Sequence, residues 1–180
     1  THDVTTSDRG VVSLDTGFLV YNERTYPNFV RLLDQLGVAS HATEMCFSVR
    51  CRRCRLEYAS QSLSALVAQR WRVLDPRHMA MLLEIVRYFR TARTFLRSAE
   101  GYDLTLGGFL TREGFSSRLT RHFVLPMAGA IWSASFADLL GMPARTILRF
   151  YENHGLLSAA GAMYWRTVAG GSRRYVDAIA

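Results

Sequence analysis

The sequence predicts an α+β fold that is predominantly helical, with short antiparallel strands. Two patterns near the start predict the strands: the run VVSLDTGFLV at 11–20 is rich in β-branched and apolar residues, and apolar and polar residues alternate over 47–58. From residue 62 onward, apolar residues recur at helical spacing instead. With 180 residues, 49% of them hydrophobic, the chain is long enough to bury a core as one domain.

Two hairpins are expected in the first third of the chain. The first pairs residues 1–6 with 11–20 across the turn signal SDRG. The alternation over 47–58 predicts the second, which folds back at Arg52-Arg53. Because Arg-Arg is a poor two-residue turn, this sequence favours a longer connecting loop.

Helix starts and ends are marked by proline, a capping residue and glycine. Pro27 and Pro76 suit the first helical position, and Asp75 caps the helix that Pro76 begins. Gly37 and Gly155 are placed to end helices. We expect helices at 27–36, 62–71, 76–98, 104–114, 116–132 with a bend at Pro126, 135–140, 143–155 and 172–180, and a strand at 165–168.

The formal charge of +7 comes from 22 arginines, since the chain has no lysine. Nucleic-acid binders cluster their positive charge in a stripe, whereas these arginines are scattered through helical patterns. A basic helical module that binds nucleic acid or an acidic partner is therefore an alternative function, and nucleic acid is not the leading partner.

The expected location is the cytoplasm. Three cysteines are too few for a disulfide framework, and no apolar run approaches the roughly 20 residues of a membrane span. Peripheral contact with the inner membrane is an alternative, through the helix at 76–98, although such helices are usually only solvated on their polar side. That polar side carries Arg87, Arg90, Arg93 and Arg97 beside Glu84.

Cys51 and Cys54 form a CxxC motif. One such pair needs two more ligands to hold zinc, and only Cys46 and His41 lie near it in the sequence. The hairpin pattern explains the pair without a metal ion, so we expect none. A thioredoxin-type redox role is equally weak, because that motif opens a helix and this one lies across a turn.

Two histidines are considered for function. His122, in the helical run RLTRHFVL, is a candidate for proton transfer, with a structural role as the more common alternative. His154, in NHG at a helix end, is expected to bond the last carbonyl groups of that helix rather than to act in catalysis.

Beyond these local patterns, the segment DTGFLVYNERTYPNFVRLLDQLGV at 15–38 resembles the one that follows the N-terminal dinucleotide-binding unit in flavin-containing amine oxidases. The stretches LPMAGAIWSA, RFYENHGLL and WRTVAGGSRRYV resemble a bacterial subgroup of predicted NAD/FAD-binding oxidoreductases associated with cyclopropane-fatty-acid-type lipid modification. Together these matches extend over nearly all of the chain.

The resemblance implies that residues 1–180 are a single substrate-binding domain inserted in a larger FAD-linked protein. The sequence departs from the family pattern because it lacks the GxGxxG unit, the acidic ribose ligand and the C-terminal flavin segment. We therefore expect FAD to be held mainly by an FAD-binding domain elsewhere in the same protein. These residues alone are expected to be inactive and able to self-associate through surfaces that this domain would cover.

The resemblance also implies two cofactor-binding segments, with no catalytic residue assigned. They are Asp15, Gly17, Phe18, Leu19 and Val20 in the first, and Gly170, Gly171, Ser172, Arg173 and Arg174 in the second. Asp15 would anchor a turn, and Gly17 would let the backbone approach the isoalloxazine ring. Taken alone, the Gly-Gly-Ser segment is more often a tight turn than an edge for an anion or cofactor.

Five residues are candidates to line a substrate pocket, with ordinary core packing as the more common alternative for aromatic residues at helical spacing. They are Phe123, Met127, Trp132, Tyr151 and Trp165. The expected function is the substrate-binding part of an FAD-dependent oxidoreductase that takes hydride from a C–H bond of a lipophilic small molecule, with a fatty acyl chain as one candidate.

Overall fold

The structure of the chain, a computed structural model, describes residues 1–60, 65, 69–99, 101–157 and 164–180. Its strands are β1 (His2–Thr6), β2 (Gly10–Leu14), β3 (Tyr21–Asn22), β4 (Ser40–Thr43), β5 (Ser48–Arg50), β6 (Glu57–Ala59) and β7 (Trp165–Val168). Its α-helices are α1 (Pro27–Gln35), α2 (Pro76–Arg97), α3 (Leu106–Arg112), α4 (Ser117–Leu119), α5 (Leu125–Trp132), α6 (Phe136–Gly141), α7 (Ala144–Asn153) and α8 (Arg173–Ile179). The expected α+β class, predominantly helical with antiparallel strands, is confirmed.

The chain forms two compact units. The first comprises Thr1–Met45 and Met163–Ala180, and the second comprises Cys46–Ala162. None of the described helices combines the length and the hydropathy needed to cross a bilayer.

In the first unit, the central strand β7 lies between β3 and β4 and is antiparallel to both. Tyr21, Leu33 and Val168 form its small core, against which α1 packs. The hairpin β1-β2 stands apart as a two-stranded sheet in which Leu14 pairs with His2. The expected strand over 11–20 therefore ends at Leu14, because the following residues leave the hairpin to bond elsewhere.

The second unit is built around α2, whose start is the expected one. The Asp75 carboxylate accepts a hydrogen bond from the Arg77 amide at 2.9 Å, and Pro76 occupies the first helical position. One side of this helix is buried in the main core of the unit. The buried residues are His78, Met81, Ile85, Tyr88, Ala92, Phe95 and Leu96.

Glycine ends the helices where the sequence predicts it. After α7, Gly155 has a φ of +68° and its amide donates to Glu152 at 3.1 Å, while the Leu156 amide donates to Tyr151 at 2.8 Å. This pair of bonds is a Schellman motif, which needs a left-handed residue that glycine supplies without strain. The same two bonds close α1 and α3.

Helical structure continues from α4 to α5 through a five-residue π-helix, Thr120–Val124. The Leu125 amide donates to the Thr120 carbonyl, five residues back. Pro126 follows directly and has no amide to offer to His122, four residues earlier. A wider turn of the backbone thus lies just before Pro126, where the sequence predicts a bend.

The hairpin β5-β6 pairs Ser48 with Ala59 and Arg50 with Glu57. Its loop runs over 51–56, which agrees with the expectation of a loop longer than two residues. The expected helix over 62–71 lies mostly outside the described residues, and its last part belongs instead to a 3-10 helix, Arg70–Leu74.

Candidate functional site

The two segments that the resemblance assigns to a cofactor meet in the first unit. The Ser172 amide donates to the Asp15 carboxylate at 2.7 Å, and the Ser172 hydroxyl donates to the Phe18 carbonyl at 2.9 Å. Residues separated by more than 150 positions are thereby joined side by side. We call this contact of residues 15–20 with residues 170–174 the junction.

The central strand β7 positions the junction. Residues 15–20 precede β3, which pairs antiparallel with β7. They therefore lie beside the C-terminal end of β7, where the glycine turn follows. The Thr167 hydroxyl donates to the Leu19 carbonyl at 2.8 Å and extends this contact beyond the short strand β3. Thr167 could not be identified from the sequence, since a threonine in a strand carries no functional signal.

The glycine turn is required by the backbone and by Asp15. Gly170 and Gly171 have φ values of +79° and +86°, and a Cβ added to Gly171 would lie 3.2 Å from an Asp15 oxygen. The Gly171 amide donates to Val168 at 3.1 Å, and the Ser172 amide is taken by Asp15. The anion that the Ser172 amide meets is therefore a carboxylate of the chain itself.

Asp15 anchors the junction as a charged group. The Thr1 hydroxyl donates to it and, together with the Ser172 amide, lowers its pKa below the ordinary value of an aspartate, against the opposing effect of burial. Asp15 is therefore ionised near neutral pH, where a carboxylate is the stronger acceptor for both donors.

Around the junction, the other assigned residues have different surroundings. The backbone at Gly17 is open, with no atom within 4 Å of the place where a Cβ would stand. The Phe18 ring packs edge-on against Tyr26 and Phe29, with ring centroids 5.4 and 5.0 Å apart. Leu19 is 52% exposed, so the segment presents apolar surface beside an open backbone. Val20 is half-buried.

The contacts of the Arg173 and Arg174 side chains are not evident from the sequence. Arg173 pairs with Asp3 of β1 at 3.3 Å. The Arg174 side chain lies over Gly170, with its Cγ 3.3 Å from where a Cβ would stand. Both side chains are exposed.

The five pocket candidates belong to different environments. Phe123, Met127 and Tyr151 are buried in the core of the second unit. Trp132 is half-buried there, with its ring 4.9 Å from that of Phe150. Trp165 belongs to the first unit, on β7. Trp165 is buried as well, so core packing accounts for four of the five residues, and a role in lining a substrate cavity stays a prediction.

Of the two candidate histidines, one caps a helix. The His154 ring stacks on Phe150 at 3.8 Å between ring centroids, and its Nδ1 lies 2.8 Å from the Phe150 carbonyl oxygen at the end of α7. His122 is half-buried beside Cys54. Burial, followed by nearby Arg118, Arg121 and Arg72, lowers its pKa, so its imidazole is neutral near pH 7.

Replacing Asp15 with alanine is expected to destabilise the first unit by about 1–2 kcal/mol, because the Ser172 amide and the Thr1 hydroxyl lose their acceptor. The measurement is denaturant unfolding followed by the fluorescence of Trp165 in a background with Trp71 and Trp132 replaced by phenylalanine. Asp8→Ala is the control, since that carboxylate is 73% exposed and should change stability by less than about 0.5 kcal/mol.

The same comparison has a pH dependence. The folded-state pKa of Asp15 is lowered, so its stabilising effect is fully present above about pH 4, the usual value for an unfolded aspartate, and is lost as pH falls further. The difference in unfolding free energy between the wild type and Asp15→Ala should therefore narrow below that pH. A constant difference down to acidic pH would contradict the assignment of a charged Asp15.

Comparison with known proteins yields no match: no family model matches the chain, and no curated protein matches it.

Proposed function

We propose that this chain is the substrate-binding part of an FAD-dependent oxidoreductase of amine-oxidase type, acting on a C–H bond of a lipophilic substrate, with a fatty acyl chain as the first candidate. The observation that carries the proposal is the bond between Asp15 and Ser172. It joins the two segments that the family resemblance assigns to the flavin.

The open backbone at Gly17 fits a flat aromatic cofactor better than it fits a protein side chain. No atom lies within 4 Å of the Cβ position there, and the neighbouring Leu19 is 52% exposed. A flavin ring could approach such a backbone closely. The polar groups of Asp15 and Ser172 are already paired, so the contact of this chain with the cofactor would come from backbone and apolar atoms.

Recognition of the FAD phosphates would fall to another domain, since the sequence contains no GxGxxG motif. The first unit carries a set of exposed apolar side chains that such a domain would cover. These are Val4, Val11, Leu14, Leu19, Val176 and Ile179, each more than 40% exposed. Burying such side chains is what an interface with another domain would provide.

In this proposal FAD would supply the hydride-accepting chemistry, and the chain would supply a dry, apolar environment and orientation. Gly17 and Leu19 would lie against the cofactor, while Asp15 and Ser172 would hold the two segments in register.

The test uses the natural full-length protein that contains this chain, purified and examined by absorbance. We expect flavin bands, and we expect Gly17→Val to weaken flavin retention because its side chain fills the open face of the backbone. Gly141→Val is the matched control, since that glycine also has open space and no positive φ. Protein without flavin would reject the proposal, and equal loss in both variants would reject the role of Gly17.

A second candidate function concerns the solvent side of α2. Glu84 and Arg87 do not belong to a free polar side there, because Glu84 accepts from the Ser116 amide at 3.0 Å and Arg87 donates to the Glu113 and Gly114 carbonyls. The exposed stripe of α2 is instead apolar in its first half and basic in its second. It consists of Met79, Leu83, Val86, Arg90, Thr94 and Arg97, with half-buried Arg93 beside them.

We propose that this α2 stripe contacts a membrane surface with anionic lipids. Leu83 is 70% exposed, and the preceding 3-10 helix adds Leu74, which is 87% exposed. The stripe contains no carboxylate, so its basic half complements anionic headgroups while its apolar half can enter the interface. A nucleic-acid site would favour basic residues without the apolar half.

Vesicle co-sedimentation of the 180-residue chain tests this contact. We expect binding to phosphatidylcholine vesicles only when phosphatidylglycerol is added, and about fivefold weaker binding for Arg90→Gln, since one arginine near an anionic surface contributes about 1 kcal/mol. Arg9→Gln is the exposed control. Absence of lipid dependence would reject the contact, and salt-sensitive binding to nucleic acid without vesicle binding would favour the basic-module alternative.

A further inference from the structure

The loop between β5 and β6 places two cysteines in one tight turn. The Cys51 amide donates to the Leu56 carbonyl at 2.8 Å and closes the loop, and Arg55 takes a left-handed conformation with a φ of +54°. The backbone amides of Arg53 and Cys54 donate toward the Cys51 sulfur. Both cysteines are free and half-buried. The loop therefore gathers donors around one sulfur and brings the second sulfur beside it.

The π-helix brings a histidine to the same place. The Nε2 atom of His122 lies 3.8 Å from the Cys54 sulfur, although the two residues are 68 positions apart. The Tyr58 hydroxyl, from β6, donates to the His122 carbonyl, which Pro126 leaves without its usual α-helical donor. One hydrogen bond thus fixes the hairpin to the helix that carries the imidazole.

The three ligand atoms have the spacing of a metal site. Cys51, Cys54 and His122 each offer one atom, and these atoms all lie within 4.8 Å of one another. Tetrahedral zinc, with bonds of about 2.3 Å to sulfur and about 2.0 Å to nitrogen, separates its ligand atoms by about 3.5–3.8 Å. Small side-chain rotations of half-buried residues therefore suffice to close around an ion.

The backbone that carries the cysteines is held by groups outside the cluster. Arg72, only 5% exposed, donates to the Cys54 carbonyl at 2.6 Å. Gln69 donates to the Arg55 carbonyl at 2.9 Å and accepts from the Arg72 guanidinium at 2.6 Å. The loop is thereby positioned before any ion arrives, which lowers the entropic cost of binding.

We propose that Cys51, Cys54 and His122 bind one Zn²⁺ ion, with the fourth coordination position open to solvent. Two thiolates and one imidazole are the donor set that zinc prefers. Among the described residues, no fourth Cys, His, Asp or Glu joins the cluster. Cys51 also lines a surface groove of about 430 Å³, so this ligand can be reached from solvent.

This site is separate from the junction and does not depend on the flavin proposal. The sequence expectation of no metal counted only Cys46 and His41, the residues near the pair in the chain. His122 carries no sequence signal for this role, since contact between positions 54 and 122 follows from how the hairpin packs on the π-helix.

Cobalt substitution in the reduced, metal-free 180-residue chain tests the proposal. We expect one equivalent of Co²⁺ to give thiolate-to-cobalt charge-transfer absorbance and the intense visible bands of a tetrahedral ion, both lost when one equivalent of Zn²⁺ is added. Cys54→Ser and His122→Gln should each weaken binding more than about tenfold, since even outer-shell changes at zinc sites cost about 10–100-fold.

The controls are Cys46→Ser, an exposed cysteine outside the cluster, and His41→Gln, an exposed histidine on β4. Both should bind Co²⁺ as the wild type does. Circular dichroism of each variant identifies any that has not folded. A rise in the melting temperature on Zn²⁺ addition, in the wild type and both controls but smaller or absent in Cys54→Ser and His122→Gln, gives a second measure. Absence of the charge-transfer band, a Cys51–Cys54 disulfide in its place, or equal weakening by Cys46→Ser would overturn the site.

Discussion

Raising the pH from about 9 to about 11 is expected to lower the free energy of unfolding of the helical unit by about 4 kcal/mol. Burial raises the pKa of Tyr58, Tyr88 and Tyr151 well above the ordinary value of a tyrosine. These phenols stay protonated in the folded chain, whereas in the unfolded chain they ionise above about pH 10. Their contribution is therefore complete below that pH and is lost as pH rises, by about 1.4 kcal/mol per group and pH unit.

The measurement is urea unfolding followed by circular dichroism at several alkaline pH values. The absence of lysine makes the result easier to interpret, since arginine keeps its charge over this range and the titrating side chains are tyrosine and cysteine. The double variant Tyr88→Phe and Tyr151→Phe should lose only about a third as much stability as the wild type over the same range.

That double variant is also informative at neutral pH. Neither hydroxyl has a hydrogen-bond partner within the described part of the chain. Removing a buried hydroxyl that makes no such bond relieves a desolvation cost, so the variant should be at least as stable as the wild type near pH 7. An unchanged alkaline dependence in this variant would show that the two phenols ionise normally.

Local chemistry explains which parts of the fold could be predicted. Asp75-Pro76 begins a helix and Gly155 ends one because capping bonds involve only neighbouring residues. The length of β2 and the π-helix at Thr120–Val124 were not predicted, since each depends on contacts outside the segment. The strand expected at 11–20 ends at Leu14, just before Asp15, which accepts a hydrogen bond from Ser172. A wider π-helical turn lies just before Pro126, where a bend was expected.

The candidate sites show the same distinction between local features and contacts of distant residues. The contact between residues 15–20 and 170–174 was expected only because of the family resemblance, since no local pattern relates the two segments. Asp15 could be named from the sequence, but its partner Thr1 could not. The hydrogen bond from Thr167 to the Leu19 carbonyl could not be predicted either. The proximity of His122 to Cys54 had no signal at all, because 68 residues separate them and neither belongs to a spaced motif with the other.

Replacing Arg72 with methionine is expected to destabilise the second unit by about 3 kcal/mol, the largest effect that we expect from a single substitution near the β5-β6 loop. Its buried guanidinium contacts the Cys54 carbonyl at 2.6 Å, the Gln69 side chain at 2.6 Å and the Asp75 carboxylate at 3.3 Å. Methionine fills much of the same volume but removes all three hydrogen bonds, so the buried loop loses the donor to the Cys54 carbonyl and Asp75 loses an ion pair.

Arg50→Met is the matched control, because it removes an arginine of the β5-β6 hairpin whose side chain is 80% exposed. Arg50 pairs with Glu57 at 2.9 Å, yet a pair in solvent contributes about 0–1 kcal/mol. Arg72→Lys should fall between the two, since an ammonium keeps the charge but cannot reach three acceptors in one plane. Urea unfolding of the three variants measures these differences, and equal losses for Arg72→Met and Arg50→Met would contradict a buried network that holds the loop.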